Sequence, residues 1–493
     1  MFKKILIANR GEIAVRIVHT CREMGITAVA VYEAADQQSL HVRLADECVE
    51  LVSDEGFLDG AAIIELAQRC GADAIHPGYG FLAEDVGFIR ACQMAGLAFI
   101  GPPVEVVQGV RDKLAALSTV RAAGFPTVMS SPISFGVDDL AALRAAAGEL
   151  EYPLVIKSCN GGRGPGERLA RSPQQLLRAM QRAQAESRVV FGSQEVYLER
   201  AILPAHQVAV QVLGDGQGNL VHLGDREGSL VLGNRKVVEE TPSPSLTPEQ
   251  RHVLCETAVA IARLFNYQNA GTVEFLVDEA GQFYFTEIKA RIQVEHPLTE
   301  LVTRLDLVRE QIRIAAGEPL GWTQQDVQPQ GWAMLCRINA EDPWNHFLPS
   351  PGQVDMMRLP GGPEIRVDTY VYCGCRVPDT YDPLLAKLSV WGADRQLCLQ
   401  RMQRALEGLK LTGLATNLPV LQRVFTSSAF IKGAYTTDLL RQPLGEFVDL
   451  QEHLRDLAAI AAILYLRRNA PESPTVSPRT QSGWHRASRR LAS

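Results

Sequence analysis

The sequence lacks a strong charge of either sign, a long apolar run and a secretion signal, and each absence excludes a class of protein. Its 493 residues carry 49 Lys+Arg against 56 Asp+Glu, a formal charge of −7. This balance argues against nucleic acid as the main partner, because phosphate binding usually leaves a basic footprint. The longest apolar run, residues 457–466, is too short to cross a bilayer. The first apolar stretch ends after four residues, too few for a signal peptide, so we expect a cytoplasmic protein with no membrane partner.

Close-spaced cysteine pairs are also scarce. The ten cysteines form no CxxC motif, and only Cys373 and Cys375 are close in sequence. Dispersed cysteines indicate free thiols in a reducing compartment, and a strand or turn explains the single CxC better than a metal site does. With 46% hydrophobic and 21% charged residues, the composition is that of a folded protein, and the length predicts about two to four domains.

The first hundred residues alternate between strand and helix patterns. We predict helices at 11–23 and 61–68, and strands at 4–8, 27–32, 74–76 and 98–100. This alternation is typical of a parallel sheet in an α/β domain. The first strand-to-helix turn, Ala8 to Glu12, lacks GxGxxG, so no dinucleotide site is expected there despite the Rossmann-like rhythm.

The rest of the chain mixes helices, strands and turns. Further helices are predicted at 113–123, 173–185 and 401–409, and further strands at 152–157, 196–199, 207–213, 272–277 and 282–289. The last two strands form a hairpin around Asp278 to Gly281. A helical stretch follows residue 443, and the Ser-, Pro- and Arg-rich residues 471–493 are predicted to be disordered.

A glycine-rich stretch follows the strand predicted at 152–157, which ends at Lys157. Small residues after a strand let backbone N–H groups approach a phosphate closely, which favours a nucleotide site. The stretch is not a GxxxxGK[ST] loop, and a glycine-rich surface turn explains it nearly as well.

The predicted hairpin brings acidic and basic side chains together. Glu287, Lys289, Arg291 and Gln293 share one face if the chain stays extended, and Glu274 lies nearly opposite Glu287. Neighbouring carboxylates repel unless a cation lies between them, which indicates a divalent-metal and triphosphate site. A solvated strand face with Glu–Lys–Arg pairs explains the same spacing equally well.

A third polar group joins Arg291 and Glu295 of one short segment with Lys236 and Arg337 from elsewhere in the chain. Arginine, lysine and a carboxylate together suit a small anion that must be bound and deprotonated. Each of these residues taken alone is more typical of a surface salt bridge.

Four longer motifs follow one another along the chain: IANRGEIA at 7–14, HPGYGFL at 76–82, RIQVEHP at 291–297 and CRINAEDP at 336–343. In this order they resemble biotin carboxylase, the ATP-grasp component of acetyl-CoA, propionyl-CoA and pyruvate carboxylases. The resemblance covers roughly residues 1–440 and implies a multidomain fold of α/β and α+β parts. The implied domains are a Rossmann-like N-terminal domain at 1–112, an ATP-grasp core at 113–330 with a mobile lid at about 130–203, a C-terminal biotin carboxylase domain at 331–442, and an extension at 443–493.

The resemblance implies an ATP-dependent ligase that carboxylates biotin with bicarbonate. ATP phosphorylates bicarbonate to carboxyphosphate, which yields carbon dioxide and phosphate; the phosphate then deprotonates biotin, and the biotin enolate attacks the carbon dioxide. The implied cofactors are ATP, Mg2+ (or Mn2+) and carrier-linked biotin. No Ala-Met-Lys-Met-type biotinylation signal is present, so the expected partners are a biotin carboxyl carrier protein, a second copy in a homodimer and a separate carboxyltransferase subunit.

The site residues carry over by matching motif. The implied ATP contacts are Lys113, Lys157, Gly161, Gly162, Gly164, Glu199 and Ile202. The implied metal ligands are Glu274 and Glu287. The implied bicarbonate contacts are Lys236, Arg291, Gln293 and Val294. Glu295 resembles the base that deprotonates bicarbonate and Arg337 the residue that stabilises the enolate, so the implied catalytic residues are Glu295, Arg337, Lys236 and Arg291.

Several positions depart from the family's pattern at the ATP end. Pro165 interrupts the glycine-rich loop and has no N–H to offer a phosphate. Gln207, Val231 and Asn234 stand where other polar residues are expected to contact the ribose, and Lys289 replaces an Asn expected to assist metal binding. Two hypotheses follow: a working biotin carboxylase with unusual nucleotide handling, or a catalytically impaired homologue whose role is that of a binding or scaffold protein.

Overall fold

The structure, a computed structural model, describes residues 1–136, 139–159, 168–233, 235–441 and 450–468. Backbone contacts divide the chain into two compact units, Met1–Gln442 and Pro443–Ser493. The described part of the second unit is the helix Leu450–Arg468, which confirms the helical stretch predicted after residue 443. The tail predicted to be disordered lies outside the described residues, as do Gly161, Gly162 and Gly164.

A five-stranded parallel sheet lies at the N-terminal end of the first unit. Its strand order is Glu47–Glu50, Thr27–Tyr32, Lys4–Ile7, Ala74–His76 and Ala98–Phe99. Its associated helices are Gly11–Glu23, Leu40–Leu44, Gly60–Arg69 and Val86–Met94. Ile5 and Ile7 join one apolar cluster while Leu6 joins another, because side chains alternate along a strand and both faces of this sheet are covered. The predicted α/β alternation is confirmed.

A separate three-stranded sheet is formed by Arg168–Ala170, Leu154–Ser158 and Val196–Arg200. Helices Leu140–Leu150 and Pro173–Phe191 pack with it around an apolar core of their own. The second helix runs past the predicted end at 185, because the first helix-ending residue is Gly192, whose φ of 68° is left-handed. These elements fall within the predicted lid, whose mobility stays a prediction.

The largest sheet has eight strands, all paired antiparallel. Their order is Phe283–Lys289, Asn269–Val277, His206–Gly214, Leu220–Leu232, Arg235–Thr241, Trp332–Asn339, Leu384–Gly392 and Ile365–Thr369. Arg235–Thr241 pairs with Trp332–Asn339, so this sheet continues across the domain border predicted at residue 330. The domain borders that were derived from the sequence stay predictions.

The remaining elements surround these sheets. The other α-helices are Val104–Arg111, Lys113–Ala122, Pro248–Leu264, His296–Thr303, Leu307–Ala315, Arg395–Gly408, Leu418–Thr426 and Ser428–Ile431. Two-residue to three-residue strands pair as Glu341–Asp342 with Leu348–Pro349, Gly352–Gln353 with Arg376–Val377, and Met356–Arg358 with Lys410–Thr412. Single 3-10 turns occur at Ala34–Asp36, Gly56–Leu58, Gln324–Asp326 and Leu439–Arg441.

A second helix boundary also differs clearly from the prediction. The helix predicted at 401–409 begins at Arg395, because the Asp394 carboxylate accepts the Leu397 N–H at 2.8 Å and caps the helix there. None of the described helices is long and apolar enough to cross a membrane. Cys373 and Cys375 are free thiols, and Cys373 lies in a turn, which agrees with the expected turn or strand.

Candidate active site

A cleft lies between the three-stranded sheet and the eight-stranded sheet, and most of the predicted nucleotide and metal residues line it. Those on its walls are Lys113, Lys157, Glu199, Ile202, Glu274 and Glu287, and they are joined by Lys236 from the predicted bicarbonate site. They come from separate stretches of the chain, so the fold gathers residues that the sequence keeps far apart. Apolar groups such as Val155, Phe275 and Leu276 share the walls, a mixture that suits a ligand with one apolar and one charged part.

The hairpin pairs Glu274 with Glu287, which confirms the register expected from the sequence. The strand ends at Lys289, and the next backbone N–H, that of Ala290, donates to Glu84 Oε1 at 3.0 Å. The extended face therefore stops there, and the expectation that Arg291 and Gln293 continue it is wrong. Instead Arg291 Nε binds the other oxygen of Glu84 at 3.0 Å.

Four charged side chains meet on this hairpin: Lys113, Glu274, Glu287 and Lys289, hereafter the lysine cluster. Lys289 Nζ lies 2.7 Å and Lys113 Nζ 3.0 Å from the same oxygen, Glu287 Oε2. Burial opposes ionisation of Glu287, but Lys113 and Lys289 outweigh it and hold the pKa of Glu287 well below its usual range. Glu287 is therefore a fixed carboxylate with two ammonium groups on one side.

Lys157 is paired within the cleft wall. Its Nζ lies 2.5 Å from Glu199 Oε2, and the Tyr197 hydroxyl donates to Glu199 Oε1 at 2.7 Å. Glu199 and Tyr197 are both buried, so this carboxylate is held at both oxygens. The adenine contact predicted for Glu199 stays a prediction.

A second charged group, hereafter the arginine cluster, consists of Lys236, Glu239, Glu295 and Arg337. Glu295 is 3% exposed, with Lys236 Nζ 2.8 Å from its Oε1 and Arg337 Nη2 3.0 Å from its Oε2. Burial opposes ionisation of Glu295, but Lys236 and Arg337 outweigh it and hold its pKa well below its usual range. Three of the four predicted catalytic residues therefore meet here, because Lys236 and Arg337 both contact Glu295.

Glu239 belongs to this cluster but was not predicted from the sequence. Arg337 donates to both Glu239 oxygens, with Nε and Nη2 at 3.0–3.1 Å. Burial, together with the neighbouring Glu295, raises the pKa of Glu239 to about 7 even though Arg337 acts to lower it. The only local signal was an acid three residues after Lys236, since the contact depends on strand Arg235–Thr241 pairing with Trp332–Asn339.

Gln293 joins the lysine cluster to the buried Arg226. Its Nε2 donates to Glu274 Oε1 at 2.8 Å, and its Oε1 accepts from Arg226 Nη2 at 2.8 Å. Arg226 is fully buried and also binds Gln211 and Thr299, each at 2.7 Å. The amide of Gln293 is therefore fixed in one orientation by partners on both sides.

The other predicted bicarbonate residues take different positions. Arg291 is engaged with Glu84 and with the backbone carbonyl of Ile292. Val294 is half-buried between Gln293 and Glu295, where only its backbone can offer a polar contact. Bringing these groups onto one anion requires Arg291 to exchange part of its contact with Glu84.

The positions that departed from the family pattern are largely on the cleft wall. Gln207 and Val231 both line it. Val231 presents only apolar atoms, so it can pack against a ligand but cannot bind a hydroxyl group. Asn234 lies outside the described residues.

Magnesium fits this cleft as a companion of a phosphate ligand rather than as a resident ion. Glu274 and Glu287 are suitable oxygen donors for Mg2+, but Glu287 Oε2 already carries two ammonium groups. Among the described residues there is also no cluster of three or more His, Cys, Asp or Glu side chains that could hold an ion. A metal would reach Glu287 through its other oxygen, which has no partner within the described part of the chain.

Three family models match the chain in order. They are described as biotin carboxylase, N-terminal domain (residues 1–107), carbamoyl-phosphate synthase L chain, ATP binding domain (112–323), and biotin carboxylase C-terminal domain (335–442). Together they cover most of the chain up to residue 442.

Characterised relatives match over nearly the same length. A biotin carboxylase from a Nostoc species is 45% identical over 445 residues, which cover 90% of this chain and 99% of the relative. Biotin carboxylase 1 of Bacillus subtilis is 42% identical over 445 residues, 89% of this chain and 98% of the relative. Among solved structures, the biotin carboxylase domain dimer of Hydrogenobacter thermophilus 2-oxoglutarate carboxylase, in complex with MgADP, ADP and bicarbonate, superposes with a TM-score of 0.87 at 41% identity, covering 90% of this chain and 98% of that one.

Proposed function

The chain belongs to the biotin carboxylase family, whose reaction is the ATP-dependent carboxylation of biotin, and we propose that it carries out this reaction with bicarbonate bound at the arginine cluster. The observation that carries the proposal is Glu295, a buried carboxylate held between Lys236 and Arg337. The two cations can attract a small anion, and the carboxylate between them can accept a proton from that anion once one cation moves away.

Bicarbonate binding and activation of the base are coupled in this proposal. With Lys236 at 2.8 Å and Arg337 at 3.0 Å, Glu295 has a low proton affinity in the present arrangement, in keeping with its lowered pKa. An anion that draws Lys236 away from Glu295 Oε1 frees that oxygen and raises its proton affinity at the same moment. Glu295 then accepts the bicarbonate proton, and Arg291, Gln293 and the Val294 backbone complete the anion site.

Arg337 has the geometry for stabilising the enolate of biotin. Its guanidinium is only 14% exposed and is anchored on Glu239 through two nitrogens, so its position is set before any substrate arrives. A preorganised cation lowers the energy of a developing negative charge without having to reorient during the reaction. Glu239 acts as the positioning residue for this group.

The nucleotide belongs at the other end of the cleft. Lys113 and Lys157 supply charge for the phosphates there, while Glu199 and Ile202 lie on the wall that we assign to the base. Mg2+ would enter with ATP as part of the substrate, and Glu274 together with the oxygen of Glu287 that contacts neither lysine would be the groups available to hold it. Use of Mn2+ in its place stays a prediction.

The partners are proposed from membership of the biotin carboxylase family. We expect the biotin to be carried by a separate biotin carboxyl carrier protein, the chain to form a homodimer, and the carboxyl group to pass to a separate carboxyltransferase subunit. The solved relative from Hydrogenobacter thermophilus is itself a domain dimer, which supports the second of these. The cytoplasmic location stays a prediction.

The test is ADP production by the purified protein with and without bicarbonate and biotin. We expect ADP formation that requires both substrates and is lost in Glu295→Ala, while Glu279→Gln, an exposed change in the hairpin turn, leaves it intact. Absence of activity above the Glu295→Ala blank, even with carrier protein added, would overturn the proposal. It would also revive the impaired-homologue hypothesis, which the relatives described above do not support.

A further inference from the structure

Lys289 is held in the nucleotide end of the cleft as a fixed positive charge. It is the last residue of strand Phe283–Lys289, pairs with Thr272, and its backbone carbonyl accepts from the Tyr267 hydroxyl. Its side chain is 11% exposed, with Nζ 2.7 Å from Glu287 Oε2. A buried ammonium in contact with a buried carboxylate has little freedom to leave, because either charge alone would be costly to bury.

The charges around the Lys289 ammonium already balance without a metal ion. Glu274 and Glu287 bring two negative charges, and Lys113 and Lys289 bring two positive ones. Lys236 adds a third ammonium 3.6 Å from Glu274 Oε1. Divalent ions bind where carboxylates are in excess, and here Lys113 and Lys289 equal Glu274 and Glu287 in number, while Lys236 is shared with Glu295 of the arginine cluster.

The position of the ammonium groups matters as much as their number. Both Lys113 and Lys289 contact Oε2 of Glu287, so a metal ion on that oxygen would lie within a few ångströms of two like charges and be strongly repelled. Oε2 of Glu287 is therefore closed to a divalent ion, whereas Oε1 contacts neither lysine.

We propose that Lys289 serves as a resident cation of the nucleotide site, supplying to the phosphates a charge that a divalent ion bound at Glu287 would otherwise bring. Nucleotide binding then depends little on free magnesium, and no more than one divalent ion enters with each nucleotide. This inference rests on the proposed nucleotide function of the cleft. Removing the Lys289 ammonium leaves Lys113 as the one lysine on Glu287 Oε2, which lowers the repulsion of a divalent ion and makes nucleotide binding depend on metal.

The first test measures ADP affinity by calorimetry in magnesium and in EDTA, for the wild type and for Lys289→Asn. We expect EDTA to weaken the wild type by less than about threefold and the variant by more than about tenfold, with magnesium restoring the variant. Lys289→Gln is a second variant of nearly the same length, and Lys3→Asn, an exposed lysine in the N-terminal strand region, is the matched control.

The second test counts bound metal directly. Electron paramagnetic resonance of Mn2+ in the presence of ADP is expected to find one ion per wild-type chain and an additional ion in Lys289→Asn. An equal, large effect of EDTA on the wild type and both variants, or a second Mn2+ in the wild type, would overturn the inference. Failure of the wild type to bind ADP in either buffer would instead contradict the proposed function.

Discussion

The two charged clusters of the cleft contain similar groups but arrange them differently. In the lysine cluster both cations contact one oxygen of Glu287, and the other oxygen has no partner within the described residues. In the arginine cluster the two cations contact different oxygens of Glu295. The first arrangement leaves a carboxylate able to face a ligand, whereas the second holds a carboxylate inactive until a substrate displaces one cation.

This difference assigns separate tasks to carboxylates of the same type. Both Glu287 and Glu295 have pKa values held well below the usual range, so ionisation alone does not distinguish them. What distinguishes them is whether a cation must move before a free oxygen becomes available. We therefore expect changes at the arginine cluster to affect turnover and changes at the lysine cluster to affect nucleotide binding.

The largest effect is expected at Glu295, where a substitution should lower turnover without changing nucleotide binding. Glu295→Gln removes the base but keeps its shape, so we expect kcat for biotin-dependent ADP formation to fall about 10³-fold or more, with ADP affinity changed less than about twofold. Steady-state kinetics and calorimetry on the same preparation measure the two quantities. A comparable loss of ADP affinity would show that the clusters act as one unit.

A buried ion pair outside the cleft provides a comparison in which we expect a change in stability. Lys387 is fully buried, with Nζ 2.8 Å from Glu12 Oε2, and burial raises the pKa of Glu12 to about 7. Lys387→Met leaves that carboxyl without its cation and should lower the free energy of unfolding by about 3–5 kcal/mol near neutral pH. Chemical denaturation is the measurement.

The control for that change is Lys410→Met, an exposed strand lysine. The loss in Lys387→Met should shrink below about pH 6, because the Glu12 carboxyl then becomes neutral and needs no cation. A loss that is the same at about pH 5.5 and about pH 8 would contradict the assignment of the effect to charge, since the two pH values lie on either side of the Glu12 pKa of about 7.

Arg337 is expected to show the next largest effect. Its guanidinium binds Glu239 and Glu295 together, which a lysine ammonium cannot do because it lacks the planar fork. Arg337→Lys should lower kcat with biotin about 100-fold, while Arg358→Lys, at an exposed strand position, should have no effect. Full activity in Arg337→Lys would mean that charge suffices and that the double contact is incidental.

The smallest expected effect concerns Glu239 and its pH dependence. With its pKa raised to about 7 by burial, Glu239 is neutral below that pH and holds Arg337 as an ion pair only above it. We expect the wild-type rate to rise with pH through about 7, and Glu239→Gln to lose this rise and fall about fivefold at about pH 8, since a charged hydrogen bond is about twice as strong as a neutral one. An unchanged pH profile in Glu239→Gln would exclude this positioning role.

Local patterns in the sequence predicted much of the fold and part of the site. Strand alternation and the turn at Asp278 to Gly281 indicated the hairpin, and its register placed Glu274 opposite Glu287. The N-terminal α/β rhythm likewise predicted most of the parallel sheet, because each of its elements carries its own apolar period. The resemblance by motif supplied the cluster around Glu295.

The residues that were missed depend on distant pairing. Glu239 reaches Arg337 because Val238 pairs with Cys336, nearly a hundred residues further along the chain. Glu84 binds Arg291 across 207 residues. Neither contact has a local pattern, since a single acidic residue looks the same whether it faces solvent or a buried arginine. The double contact of Lys113 and Lys289 on one oxygen depends on side-chain geometry that no spacing encodes.

The most direct test of the account is transfer of labelled carbon from bicarbonate to biotin by the wild-type protein with MgATP. We expect acid-labile carboxybiotin to form in proportion to ADP in the wild type, and none to form in Glu295→Gln. ADP formed without labelled biotin, or labelled biotin formed equally by Glu295→Gln, would contradict the assignment of the arginine cluster as the carboxylation site.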